Sequence, residues 1–110
     1  MKRGDIFAGV LPGRLGKPRP LLIVQGALLD EGAFVTVTVL PLTSTLLAAP
    51  LYRITVQPSQ ENGLPKVSQI QVDKASTILR TKVGPVIGRL EAPLMVAVDR
   101  YLALWLGLVI

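Results

Sequence analysis

The sequence predicts an α+β domain, a small and strongly curved antiparallel β-barrel covered by one C-terminal α-helix. Three observations predict it. Short apolar or alternating runs recur at close spacing between residues 5 and 90, most of them bounded by Gly, Pro, Asn or Asp. From Glu91 the apolar period changes from that of a strand to that of a helix. The chain has 110 residues, 50% of them hydrophobic, which is ample for one core without metal or disulfide staples. Strands in series followed by a single helix give a sheet that curls on itself and takes the helix as its cover.

Residues 5–10 read as the first strand. Residues 11–20 form a loop with two glycines, three prolines and the cations Arg14, Lys17 and Arg19. Pro18 and Pro20 fix their own φ and push Lys17 and Arg19 towards extended backbone, so Arg19 is mounted on stiff chain. Residues 21–25 open with four consecutive apolar residues, the pattern of a buried central strand, and 27–32 form a connection in which Asp30-Glu31-Gly32 supplies the turn. Residues 34–40 alternate apolar and hydroxyl side chains, as a strand with one buried and one wetter face does. This strand is expected to end at Pro41, leaving Thr43, Ser44 and Thr45 just beyond it, with a small helical turn over 46–49 stopped by Pro50.

Alternation resumes over residues 52–56, and 58–65, with Asn62-Gly63 inside, is a loop. Residues 67–72 form the next strand, with Val67, Gln69 and Gln71 on one face, and Asp73-Lys74 ends it. Residues 75–80 read as a short turn and 86–90 as the last strand. Leu94, Val98, Tyr101, Leu102, Trp105, Leu108 and Val109 then share a helical stripe, with Pro93 tolerated in the first turn, and this stripe places Trp105 in the core. Met95, Leu104 and Leu106 lie off it and leave a second apolar surface for another subunit.

The composition narrows the chemistry. A net charge of +5 and a pI near 10.1 favour a polyanion such as nucleic acid, or an acidic protein. With no Cys and no His, disulfides, thiolate nucleophiles, most zinc sites and the usual general base near neutral pH are excluded. The longest apolar run, 94–110, has Asp99 and Arg100 within it, and the start Met1-Lys2-Arg3-Gly4-Asp5 opens no signal peptide, so a cytoplasmic protein without a membrane span is expected.

Arg19 is suited to holding a phosphate or stabilising charge that develops on one, because its donors form a planar, permanently charged fork. An ion pair with Asp73 is the equal alternative. Thr43, Ser44 and Thr45 are placed to bond phosphate oxygens or a ribose hydroxyl, or else Ser44 or Thr45 caps the turn that follows. Asp73 and Lys74 read base edges or simply form a turn.

Taken in order, these features resemble a known family. Lys2-Arg3-Gly4-Asp5-Ile6, Arg19-Pro20-Leu21-Leu22-Ile23-Val24, Val39-Leu40-Pro41-Leu42-Thr43-Ser44, and Ile87-Gly88-Arg89-Leu90 with Val98-Asp99-Arg100 are similar to the MazF/PemK toxins, the ribonuclease components of bacterial toxin-antitoxin pairs. The resemblance spans nearly the whole chain. It implies a single SH3-like toxin domain over residues 1–110, a homodimer, and inhibition by a cognate acidic antitoxin. It also implies sequence-specific cleavage of single-stranded RNA without metal or cofactor, by 2′-hydroxyl attack, leaving a 2′,3′-cyclic phosphate and a 5′-hydroxyl. Arg19 and Thr43 then match the family's catalytic arginine and threonine, with Arg14, Lys17, Ser44, Gln71, Asp73 and Lys74 as the RNA-binding set.

The chain departs from the family in three places. Residues 11–17 are short and lack a Gly-x-Glu-Gln-x-Gly type stretch, no histidine stands there, and Gln71 occupies the position of an arginine before the family's aspartate. No residue presents itself as the general base. Two rival readings stay open: a gyrase poison of the CcdB type, whose terminal Trp, Gly and Ile are echoed by Trp105, Gly107 and Ile110, and a catalytically inactive SH3-like binding module. Arg19 together with Thr43 favours the nuclease.

Overall fold

The computed structural model describes residues 1–13, 17–26, 34–48 and 51–109. Among these lie strands β1 (Asp5–Gly9), β2 (Arg19–Ile23), β3 (Thr36–Thr43), β4 (Arg53–Val56), β5 (Ser68–Gln71), β6 (Ser76–Leu79) and β7 (Val86–Arg89), then helix α1 (Ala92–Trp105). All pairings are antiparallel, in the order β4-β5-β3-β2-β1-β7, with β6 alongside β3. The sheet curls into a half-barrel whose edges are β4 and β7. The loop after β4 reaches across to β7, where the Arg89 N–H donates to the Glu61 carbonyl at 2.8 Å.

Both faces of the sheet are buried at its centre, which is why β2 reads as unbroken apolar sequence. Ile6, Leu22, Leu40 and Leu42 point to one cluster with Ile54, Ile70, Val72 and Val98, under α1. Their neighbours Phe7, Leu21, Ile23, Val37 and Val39 point to a second cluster with Leu11 and Ile78. The period of two along β1, β2 and β3 thus feeds two cores from one sheet.

Pro41 does not end β3, contrary to expectation, and the register explains it. The Val24 N–H donates to the Thr38 carbonyl, and bonded pairs alternate along an antiparallel ladder. Leu22 opposite Leu40 is therefore a bonded pair and Leu21 opposite Pro41 is not, so Pro41 turns its missing N–H away from β2. On that other side β6 pairs residues 36–39 and β5 pairs 42–43. Pro41 falls in the gap between them and costs the ladder nothing.

Three further expectations change. Residues 76–79 are a strand, not a turn: Ile78 is buried opposite Val37, and the pairing with β3 runs from Thr36↔Leu79 to Val39↔Ser76. Phe34 and Val35 are exposed and precede β3. Residues 46–48 form no helical turn; the rest of that proposed turn, and the connection proposed over 27–32, lie outside the described residues.

The helical stripe also ends early. Val98 is buried, and Leu94, Met95, Tyr101 and Leu102 pack half-buried on the first core. Trp105 is 52% exposed and meets Tyr52 with ring centroids 6.3 Å apart, so it is not a core residue. The helix stops at Gly107, whose φ of +72° suits glycine. The Gly107 N–H bonds to the Leu104 carbonyl and the Leu108 N–H to the Ala103 carbonyl, a Schellman closure that turns Leu108 and Val109 off the helix into solvent.

Candidate active-site groove

Three stretches meet at one end of the sheet. β2 begins at Arg19, paired with Gly9, rather than at Leu21 as expected. The proline-stiffened approach is already extended, so the ladder takes it up two residues early. Lys17 to Pro20 form one wall of a groove of about 360 Å³, and Leu42 to Thr45, at and beyond the end of β3, form the second. Pro65, Lys66 and Ser68, leading into β5, complete it.

Arg19 is half-buried, and its guanidinium has no hydrogen bond or ion pair with any described residue. The alternative pairing with Asp73 does not form, since Asp73 Oδ2 accepts from Lys74 Nζ at 3.3 Å instead. Thr43 is the last residue of β3, and its Oγ1 accepts the Thr45 N–H at 3.1 Å. With that bond accepted, its own proton remains to be donated. Ser44 and Thr45 are exposed, and the turn they were expected to cap is not seen over 46–48. Lys17, Arg19 and Lys66 give the groove three cations, and no carboxylate is among the described residues that line it. A concave surface with one sign of charge concentrates anions.

The groove therefore gathers Lys17, Arg19, Thr43 and Ser44. Gln71, Asp73 and Lys74 do not line it: Gln71 is buried on β5 opposite Arg53 of β4, and the other two lie in a 3₁₀ turn over Val72–Lys74. Arg14 lies outside the described residues. Sequence reasoning missed Lys66, whose signal was a cation placed directly after Pro65 at the end of a loop.

The loop that delivers Lys66 is internally braced. Asn62 is fully buried; its Oδ1 accepts the N–H groups of Ser59 and Leu64, and its Nδ2 donates to the Gln57 carbonyl and to Glu91. Ser59 Oγ donates to Glu91 Oε2 at 2.9 Å. Burial pushes the Glu91 pKa up, but hydrogen bonds from its own backbone, Ser59 and Asn62 outweigh this and hold it below the ordinary glutamate value. Among the described residues no three carboxylates come together as a metal site would require.

A half-barrel with one terminal helix and a cationic, hydroxyl-bearing groove defines a small anion-handling domain. The sequence model of the PemK-like, MazF-like toxins of type II toxin-antitoxin systems matches residues 2–106, and the chain belongs to that family. It is 41% identical over 109 residues to a probable endoribonuclease MazF of Mycolicibacterium smegmatis, covering 98% of each chain. In structure it is similar to an endoribonuclease in complex with its cognate antitoxin from a mycobacterial species, with a TM-score of 0.83, 23% identity and coverage of 100% of this chain and 98% of the other. A second similar structure is the Mycobacterium tuberculosis toxin MazF-mt6, with a TM-score of 0.77, 26% identity and coverage of 94% and 96%.

Proposed function

We propose that the groove binds single-stranded RNA and cuts it without metal or cofactor, by attack of the RNA's own 2′-hydroxyl on the neighbouring phosphorus. The chain is a MazF-like toxin endoribonuclease. One observation carries the assignment of its site: Arg19, without an intramolecular partner among the described residues, shares a carboxylate-free groove with Thr43.

In the reaction the 2′-hydroxyl gives its proton to solvent water as the bond from O2′ to phosphorus forms, and the bond from phosphorus to O5′ breaks with the electron pair leaving on O5′, which takes a proton from water. Negative charge grows on the phosphoryl oxygens as this happens. The Arg19 fork meets that charge, and the Thr43 hydroxyl donates to a phosphoryl oxygen and fixes its orientation. Lys17 and Lys66 hold the flanking phosphates and Ser44 an adjoining sugar or phosphate oxygen. Asp73 and Lys74, in the 3₁₀ turn after β5, extend the RNA contact beyond the groove, whereas the burial of Gln71 keeps it from the RNA. The described lining residues include neither imidazole nor carboxylate to take the 2′-hydroxyl proton. Alignment and charge stabilisation thus carry more of the rate than a conventional side-chain base.

The test is incubation of the purified protein with single-stranded RNA in EDTA, beside Arg19→Ala and Thr43→Ala. Cleavage by the parent, with a loss of about 10²-fold or more in each folded variant, is expected. RNA left intact by the parent, or an Arg19→Ala variant that cuts as well, overturns the assignment.

The same groove suits an acidic antitoxin segment, with apolar anchors beside it, so antitoxin binding should block cleavage; unchanged cleavage in the complex would count against this. The exposed Leu104 and Leu106 give α1 a surface for a homodimer. Among the described residues no helix is long and apolar enough to cross a membrane, and a cytoplasmic location is where such a toxin meets mRNA.

A further inference from the structure

Gln69 carries more polar contacts than a place in the middle of the sheet requires. It is 6% exposed and sits directly opposite Thr43 in the β3–β5 pairing. Its carboxamide grips the backbone of Leu47 at both polar groups: Oε1 accepts the Leu47 N–H at 3.0 Å, and Nε2 donates to the Leu47 carbonyl at 2.9 Å. Those are the bonds a neighbouring strand would make, supplied here by one side chain. Arg53 completes the frame, with Nη1 donating to Gln69 Oε1 at 3.1 Å and to the Thr45 carbonyl at 3.2 Å. The remaining amide proton of Gln69 reaches Thr55 Oγ1 at 3.3 Å, so its hydrogen-bonding capacity is filled.

What the frame holds is the segment that follows β3. Residues 44–48 are exposed and have no regular structure of their own. Their backbone is nevertheless fixed at Thr45 and Leu47, and the Thr45 N–H is the donor that orients the Thr43 hydroxyl. Loss of the frame would free Thr45, and with it the direction in which Thr43 offers its proton. Arg53 Nε finds no hydrogen-bond partner among the described residues, but the buried Gln69 carboxamide is bonded at every polar position, and such a group is a rigid support of the kind a reacting group needs.

We infer that Gln69 is a positioning residue for RNA cleavage: with Arg53 it fixes the backbone of Thr45 and Leu47, and through them aims the Thr43 hydroxyl at the scissile phosphate. This rests on the nuclease reading above and deepens it. Gln69 itself need not touch RNA.

The experiment compares Gln69→Leu, Gln69→Glu and Arg53→Met with the parent for kcat and KM on single-stranded RNA, alone and combined with Thr43→Ala, and follows amide hydrogen exchange at Leu47. Gln69→Leu is expected to lower kcat by about 10²-fold with KM little changed, as a misaimed reacting group does. Arg53→Met, at a half-buried site whose loss the fold tolerates better, should move kcat in the same direction. Gln69→Glu keeps the acceptor for Leu47 and Arg53 and should fall between them and the parent. Leu47 exchange should quicken about tenfold in Gln69→Leu while β1 and β2 amides do not change. In the Thr43→Ala background the Gln69 and Arg53 substitutions should cost nothing further.

Folded Gln69→Leu and Arg53→Met variants with parental kcat, or costs that add fully to that of Thr43→Ala, would overturn the inference while leaving the nuclease reading intact. Thr43→Ala cutting as the parent does would overturn both together.

Discussion

Asn62 donates its side-chain amide to both carboxylate oxygens of Glu91, at 3.2 and 3.3 Å, and so ties the loop after β4 to the residue that precedes α1. Because these bonds and that from Ser59 favour the charged carboxylate, the folded pKa of Glu91 lies below its ordinary value of 4.5. A depressed folded pKa contributes stability that is fully present well above the unfolded value and is lost as pH falls through the folded one.

The stability difference between the parent and Glu91→Gln should therefore be constant near neutral pH and shrink as the pH falls below 4.5. Urea melts of both proteins across that range check it; a gap that widens in acid would show the sign to be wrong. Asn62→Ala, which strands several buried backbone groups, should cost about 3 kcal/mol at neutral pH by the same measurement.

Gly63 and Gly88 allow the loop after β4 and β7 to touch backbone to backbone. A Cβ on Gly63 would lie 2.0 Å from the Ile87 carbonyl oxygen, at a φ of +68°, and one on Gly88 would lie 2.2 Å from the carbonyl of Asn62. Gly63→Ala and Gly88→Ala should each cost about 3 kcal/mol or more, or fail to fold. Gly26→Ala, where no atom of the described residues stands within 4 Å of the new Cβ, should stay within about 1 kcal/mol of the parent in the same denaturant melts.

Lys17 and Lys66 flank the groove as point charges. Lys17→Ala and Lys66→Ala should weaken RNA binding evenly across sequences and each reduce the slope of log K against log salt by about 0.7. Binding isotherms for an uncleaved RNA at several salt concentrations read this directly. A slope that does not move would remove that lysine from the phosphate path.

Leu104 and Leu106 are 44% and 62% exposed on and just past the end of α1. Leu104→Lys with Leu106→Lys should keep the circular dichroism of the folded chain, yet shift sedimentation from dimer to monomer and lower the melting temperature by the stabilisation that association had supplied. A parent that is monomeric at all concentrations, or a variant that remains dimeric, would place the interface elsewhere.

Much of this molecule was legible in its residues because period and stiffness are local properties. The strand at Leu21 to Ile23, the loop around Asn62 and the helix beginning near Pro93 all follow from spacing and backbone chemistry. What was not legible depends on partners distant in sequence. Pro41 reads as a strand end until β5 and β6 are seen to divide the edge it faces, and Ser76 to Leu79 is too short to declare itself without β3 beside it. Trp105 fits the helical stripe, but the closure at Gly107 comes before that stripe can reach the core. In the site, Arg19 and Thr43 were visible as chemistry at strand ends. Gln69 was visible only as a face assignment, because its role is defined by Leu47, 22 residues away.

The groove is stitched from residues 17 to 68, on strands whose own neighbours come later still: β3 needs β5 and β6, and Asp5 of β1 pairs with Arg89 of β7. Such long-range closure makes folding wait for most of the chain. A chain that extends only as far as β4 holds Arg19 and Thr43 but not the wall that carries Lys66, nor the strand from which Gln69 braces Leu47. The groove therefore has no local nucleus of its own, and one of its two reacting side chains, that of Thr43, is set in place by a strand that follows it in the chain.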